Sequence, residues 1–225
     1  MPDRINVYLT RIDRDSIIAN EDKLIEKVSD WRKEKLSRLK NPSVRAESLS
    51  AGLLLRYAIA HELGGGVGEY DIEAGPQGKP HFKNIEGTEF NISHSGDFVA
   101  AVISSSPIGI DIEVKSDTKF RVTKRMFSEQ EQKRVFESDD PGREFRAVWT
   151  EKEAYLKCTG EGISVALKSF YKDMETFEII RETDGEFRGT GCYVTTLKPE
   201  GEDYCLSVCS KDIKFTLDII NVNEL

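Results

Sequence analysis

The segment Ile108-Gly-Ile-Asp-Ile-Glu-Val114 sets an aliphatic residue at every second position, with Gly109, Asp111 and Glu113 between them. Side chains alternate along a β-strand, so the aliphatic residues share one face and the glycine and both carboxylates share the other. Two carboxylates about 6.6 to 7 Å apart along a strand, beside a glycine that leaves room for a ligand, can share a hard cation. Mg²⁺ suits them, because it takes a few carboxylate oxygens and keeps positions for water and phosphate. The same pattern also describes a half-exposed strand with solvated acids, and the segment alone does not separate the two uses.

A second group lies in Trp149-Thr-Glu-Lys-Glu-Ala-Tyr-Leu-Lys157. Phe145, Val148, Trp149, Tyr155 and Leu156 form the apolar stripe of a helix. Glu153 and Lys157, four residues apart, stand together at the edge of that stripe, where the helix meets a sheet. Taken alone they are a surface pair worth about 0.3 to 0.5 kcal/mol. The third group is basic. Between Trp31 and Arg45 the chain sets Arg32, Lys33, Lys35, Arg38, Lys40 and Arg45 against the single acid Glu34, a reversal of sign in a protein of net charge -8. Gly78-Lys79-Pro80 and Asn91-Ile-Ser-His-Ser-Gly96 add ammonium, hydroxyl and imidazole donors suited to phosphate.

Other chemistries find little support. Ser93 and His94 are strand neighbours that point apart, and no GxSxG is present, which argues against a serine-hydrolase dyad. Gly64-Gly-Gly-Val-Gly68 lacks the Lys-Ser/Thr ending of a P-loop and follows a helix. With three histidines and no HExxH, a zinc hydrolase is disfavoured.

The elements that position these groups can be read from periodicity. Asn6 to Leu9 reads as an opening strand. Leu24, Ile25, Val28, Trp31, Leu36 and Leu39 recur at helical spacing until Asn41-Pro42 interrupts, and a second helix runs from about Arg45 to Leu63. Phe90 to Ser93, Phe98 to Ile103 and Ile108 to Val114 read as a meander joined by turns at Gly96-Asp97 and Ser104 to Pro107. Helices near Ser128 to Glu137 and Glu144 to Cys158 flank a break at Ser138 to Gly142, and strands follow around Phe177, Tyr193 and Tyr204. Helix-then-strands occurs twice, giving an α+β chain of two similar halves.

At 225 residues the chain can bury a core without disulfides or a structural metal. Its 38% apolar content excludes wholesale disorder, and no apolar run approaches the roughly 20 residues of a membrane helix. The opening Met1-Pro-Asp-Arg is not a signal peptide, so the reading is cytoplasmic, with no membrane partner. Cys158, Cys192, Cys205 and Cys209 form no CxxC pair and read as reduced structural thiols. The acidic balance argues against nucleic acid.

Taken in order, Gly78-Lys-Pro80, Phe90-Asn-Ile-Ser-His-Ser-Gly96, Ile108-Gly-Ile-Asp-Ile-Glu113 and Trp149-Thr-Glu-Lys-Glu-Ala-Tyr-Leu-Lys157 resemble the motifs of the 4′-phosphopantetheinyl transferase superfamily, in particular its Sfp-type branch. The likeness is close over Gly78 to Ser164 and looser over the N-terminal helices. It implies a monomer of two pseudo-symmetric α/β subdomains, 1–105 and 106–225, with coenzyme A in the cleft between them. It implies transfer of phosphopantetheine from coenzyme A to a serine of an apo acyl or peptidyl carrier protein, releasing adenosine 3′,5′-bisphosphate.

Carried over by residue, Asp111, Glu113 and Glu153 would bind Mg²⁺, with Mn²⁺ also suited to oxygen ligands. Lys79, Pro80, Ser93 and His94 would hold the nucleotide and its 3′-phosphate, and Lys157 the diphosphate. Arg32 and Lys35 fall where relatives supply basic residues to coenzyme A, while the following arginine aligns with either Arg45 or Glu47. Glu153 or Glu113 would take the serine proton, and Lys157 would stabilise the departing phosphate. Lys119, Arg121, Lys124 and Arg125, followed by Met126-Phe127, form a basic and apolar segment suited to an acidic carrier protein or, equally, to a helix start with its core residues. A non-catalytic coenzyme A-binding sensor or scaffold is the competing expectation; it would be expected to lack one of the three carboxylates.

Overall fold

A computed structural model describes residues 3–66, 69–75, 77–115, 120–162, 165–211 and 215–222. The chain forms two compact units: Arg4–Ser106 with Leu217–Leu225, and Pro107–Thr216 with Met1–Asp3.

In the first unit, β1 (Asp3–Arg11) leads into α1 (Arg14–Ala19), α2 (Glu21–Leu24) and a 3-10 turn (Ile25–Lys27), then α3 (Asp30–Ser37) and α4 (Pro42–Glu62). The apolar series from Leu24 to Leu39 is not one helix. Val28 is extended and the Ser29 hydroxyl accepts the Arg32 N–H, so a local cap restarts the chain as α3. Asn41-Pro42 also starts a helix: the Asn41 side chain accepts the Ser43 and Val44 N–H groups, and Pro42 occupies a first-turn position that needs no donor. Consequently α4 begins three residues before the expected Arg45.

Helix α4 lays Leu49, Leu53, Leu54, Ala58 and Ile59 into a core with Tyr8, Leu36 and Phe90. Its sheet has the order β11 (Phe215–Asn221), β1, β5 (Phe98–Ser104), β4 (Glu89–Ser95). The last strand thus returns to the N-terminal unit. A short hairpin, β2 (Ile72–Ala74) with β3 (Pro80–Phe82), closes through a turn in which Gly78 has φ +81°, a conformation glycine adopts without a Cβ clash.

The second unit holds β6 (Ile108–Val114), α5 (Phe120–Met126), α6 (Glu129–Phe136), α7 (Pro141–Thr159) and the strands β7 (Phe170–Lys172), β8 (Glu178–Thr183), β9 (Glu186–Leu197) and β10 (Tyr204–Lys211). The sheet order is β6-β10-β9-β8-β7. The expected three-strand meander is therefore corrected. Strands β4 and β5 pair, but β6 pairs antiparallel with β10, and Ser104 to Pro107 carries the chain from one sheet to the other. The strand expected around Phe177 is β8, which starts at the next residue; Phe177 itself precedes it with φ +61°. The expected break at Pro141-Gly142 is the first turn of α7, capped by the Asp140 carboxylate on the Arg143 N–H, and Gly160 ends the helix in the left-handed region.

All four cysteines are buried and unbridged, and the Cys158, Cys192 and Cys209 sulfurs lie within 4.8 Å of one another. They come from α7, β9 and β10, so no linear spacing announces the cluster. No helix among the described residues is long and apolar enough to cross a membrane.

Candidate active site

In the first unit a cavity of about 400 Å³ is lined by Arg32 and Lys35 of α3, by Arg38 at its C-terminal cap, by Gly78 and Pro80 of the β2-β3 hairpin, and by His94 of β4. Three sequence-distant segments named above thus converge. Arg32 is 4% exposed, with its guanidinium over the Trp31 ring at 5.0 Å and Nη1 donating to the Ser48 hydroxyl at 3.3 Å. It has no carboxylate partner among the described residues, and burial lowers its pKa to about 10. Lys35 also rides on Trp31, at 5.7 Å; its pKa is pushed down by burial and by the Arg32 charge. Burying a cation without an anion is costly, so the Arg32 and Lys35 wall suits a negatively charged ligand, while Glu34, which also lines the cavity, pairs with Arg38.

His94 faces the cavity with Ile92, and its Nδ1 lies 3.7 Å from the Glu47 carboxylate. Glu47 also accepts from Arg14 Nη2 at 2.7 Å. Ser93, between Ile92 and His94, is buried opposite Ala100 and is not a lining residue, as the alternation of a strand requires. Lys79 Nζ donates to Glu89 at 3.4 Å. Arg45 does different work from that expected: its guanidinium pairs with Glu21 and donates to the Leu36 and Leu39 carbonyls at 2.5 and 3.1 Å. It ties down the carbonyl end of α3 and does not line the cavity.

In the second unit α7 lies against β6. A Cβ on Gly109 would run into the Ala154 carbonyl oxygen and the Cys158 nitrogen and come 2.9 Å from the Lys157 carbonyl carbon. Glycine therefore serves here as a seat for helix backbone, and the acidic face of β6 is covered. Asp111 is 6% exposed and accepts from Lys157 Nζ at 2.6 Å; the same ammonium donates to the Ile110 carbonyl at 3.1 Å. Cys158 meets the Pro107 carbonyl at 3.2 Å, so α7 runs antiparallel to β6. Glu153 lies one turn before Lys157 on α7.

Family models match both halves of the chain: the 4′-phosphopantetheinyl transferase superfamily over residues 107–211, and the N-terminal 4′-phosphopantetheinyl transferase model over 21–107. A 4′-phosphopantetheinyl transferase of Bacillus subtilis is 30% identical over 212 residues, covering 92% of each chain. The chain belongs to the 4′-phosphopantetheinyl transferase family. Sfp of Bacillus subtilis strain 168 is 26% identical over 97% of this chain and 98% of its own, and HetI of a Nostoc strain is 31% identical over 70% of each, which sets this transferase in the Sfp-type branch.

Between the carboxylates and the lysine, the transferase motif on α7 carries structural anchors that spacing does not reveal. Thr150 bonds Ser207 at 2.8 Å, and Ser207 is the β10 residue opposite Asp111. Glu151 is buried and takes two bonds from Arg134, at 2.6 and 3.1 Å, one from Lys172 at 3.0 Å and one from Thr196 at 2.8 Å. Burial alone pushes Glu151 up, but Lys172 and Arg134 outweigh it and hold the pKa at about 2. Lys152 is buried as well, bonding Glu131 at 2.8 Å and the Leu167 and Phe170 carbonyls at 2.7 and 2.6 Å; burial lowers its pKa and raises that of Glu131.

The basic and apolar segment after β6 divides. Lys124 and Arg125 are exposed near the end of α5, and Met126 is half-buried. Phe127 is 0% exposed and stacks on Phe145 at 5.2 Å in a core with Val135 and Val148, so it is corrected from docking residue to core residue. Lys119 and the Arg121 side chain lie outside the described residues.

Proposed function

We propose that the protein transfers the phosphopantetheine group of coenzyme A to a serine hydroxyl of an apo acyl or peptidyl carrier protein, with Mg²⁺ as its cofactor. The observation that carries the ligand side is Arg32, a buried guanidinium without a carboxylate partner among the described residues, in a cavity that also holds Lys35, Arg38 and His94. A phosphate of the nucleotide half of coenzyme A supplies the missing negative charge, and Gly78, Pro80 and Ile92 offer a wall for the nucleotide.

The donor set suits the metal. Asp111, Glu113 and Glu153 offer hard oxygens from one strand face and the helix turn that covers it, and buried Asp111 already holds a cation, the Lys157 ammonium. When bound, Mg²⁺ or Mn²⁺ would neutralise diphosphate charge. Lys157 steadies negative charge on the departing oxygen. The serine oxygen forms a bond to the phosphorus nearer the pantetheine, the bond from that phosphorus to the bridging diphosphate oxygen breaks, and adenosine 3′,5′-bisphosphate leaves. The hydroxyl proton passes to Glu153 or Glu113. Positioning and charge neutralisation supply most of the rate in such transfers.

Lys124 and Arg125 give an acidic carrier protein an exposed cationic edge. The test is intact-mass spectrometry of an apo carrier protein incubated with the transferase, coenzyme A and Mg²⁺. One phosphopantetheine increment is expected, lost with EDTA and with Glu153→Gln. Tight coenzyme A binding with no increment on any carrier class would instead favour a sensor or scaffold.

A further inference from the structure

A second cavity of about 480 Å³ opens in the N-terminal unit, walled by the end of β1, by α1 and α2, and by Ser50 of α4. Its charged residues are Arg11, Lys23 and Lys27 against Asp13, whose carboxylate is engaged as the cap of α1 on the Ser16 N–H. Arg11 sits over the Phe98 ring at 5.3 Å, and none of the three cations has a carboxylate within 4.0 Å among the described residues. Ile12 and Ile17 give it a buried apolar wall.

The independent observation is Ser50. It is 0% exposed, it lines this cavity, and its hydroxyl has no hydrogen-bond partner among the described residues, although a helical serine can reach the carbonyl one turn back. Buried hydroxyls are bonded in most proteins, and one without a protein partner at a cavity wall leaves a donor that an occupant of the cavity can satisfy. Its volume lies within the range of small-molecule sites.

We propose that this cavity binds a small organic anion, with a carboxylate or phosphate head facing Arg11, Lys23 and Lys27, a short apolar body against Ile12 and Ile17, and an acceptor for the Ser50 hydroxyl. Ser50 and Ala51 are successive residues of α4, and Ala51 lines the cavity that holds Arg32. The two sites therefore share α4 as a wall without sharing a lining residue.

The test is isothermal titration of the full-length protein saturated with coenzyme A, using hexyl phosphate, hexanoate, hexanol and inorganic phosphate as probes. The two amphiphilic anions are expected to bind about tenfold more tightly than either hexanol or inorganic phosphate, with an affinity that falls as salt rises. A Lys23→Gln, Lys27→Gln double variant is expected to weaken them about tenfold, Ser50→Ala about threefold, and Ser50→Leu to abolish binding by filling the space. Coenzyme A affinity unchanged in every variant certifies the fold. Binding of hexanol as tight as that of the anions, indifference to the lysine substitutions, absence of heat at millimolar probe, or displacement of the anions by coenzyme A would each overturn the proposal. If the wild-type chain does not bind coenzyme A, the preceding section falls while the anion titrations of the uncomplexed protein still decide this site.

Discussion

Gly109→Ala tests whether the contact between α7 and β6 sets the catalytic geometry. The new methyl would stand inside the Ala154 carbonyl oxygen and Cys158 nitrogen and 2.9 Å from the Lys157 carbonyl carbon, all helix backbone that cannot rotate away. Ordinary contact needs about 3.5 Å, so α7 must retreat by about 1 Å or the strand must buckle. Overpacking of this kind costs about 1 to 3 kcal/mol, read as a lower urea midpoint at unchanged slope. The same retreat lengthens the 2.6 Å bond from Lys157 to Asp111 beyond hydrogen-bond reach. A 1 Å misplacement of catalytic groups can cost about 10²-fold, so kcat/KM for carrier modification should fall about that far while the KM for coenzyme A changes little. The assay is initial-rate carrier loading, monitored by intact mass at a temperature where the variant is folded. Wild-type stability and wild-type turnover together would refute the reasoning.

Arg32→Met keeps the packing and removes an uncompensated buried charge, so the unfolding midpoint without coenzyme A should not fall, while the KM for coenzyme A should rise about tenfold. Arg45→Ala should do the reverse, losing about 1 to 3 kcal/mol of stability with KM unchanged, because it bonds Glu21, the Leu36 carbonyl in the last turn of α3 and the Leu39 carbonyl just beyond it. Glu151 has a folded pKa of about 2. Its unfolded value is about 4.3, so its contribution, on the order of 3 kcal/mol, is complete above about pH 5 and disappears as pH falls toward 2. Acid titration of stability should therefore lose that limb in Glu151→Gln. The four buried thiols should react with Ellman's reagent only after unfolding, and rapid native reaction of Cys192 or Cys209 would contradict their burial.

The sequence carries the residues of the candidate site more clearly than the partners that surround them. Alternation around Asp111 and Glu113 and the four-residue step from Glu153 to Lys157 are local periodicities, and local periodicity survives into the fold. What it misses are partnerships across long stretches of chain. Whether Arg45 faces a ligand or Glu21 depends on how α2, α3 and α4 pack, and the run of cations around it carries no sign of that choice. Phe127 follows two exposed cations, yet the stacking ring of Phe145 lies 18 positions further on. The supposed meander fails for a related reason. An apolar strand preceded by a short polar link can close a hairpin or leave for another sheet, and only the partner strand, β10, distinguishes the two. Capping is the local signal that overrides the apolar pattern: Ser29, Asn41 and Asp140 each start a helix where that pattern indicates continuity or a break.

Helix α7 must hold Lys157 against Asp111 while several charges crowd one surface, and the order of residues in its motif accounts for how it does so. Thr150 is pinned to Ser207, which lies opposite Asp111 on the neighbouring strand, so the helix is registered against the carboxylate it serves. Glu151 and Lys152 point to different partners, one to Arg134 and Lys172 and the other to Glu131 and the carbonyls near β7. Each is buried with its counter-charge, an arrangement that adds little net stability over an apolar core but penalises any rotation of the helix that would separate a pair. Gly109 fixes the remaining coordinate, the distance from helix to strand. Register, rotation and distance are thus set by four residues other than Glu153 and Lys157, on a helix that cannot turn or slide without breaking a buried contact; this is the rigidity that the proposed roles of those two side chains require.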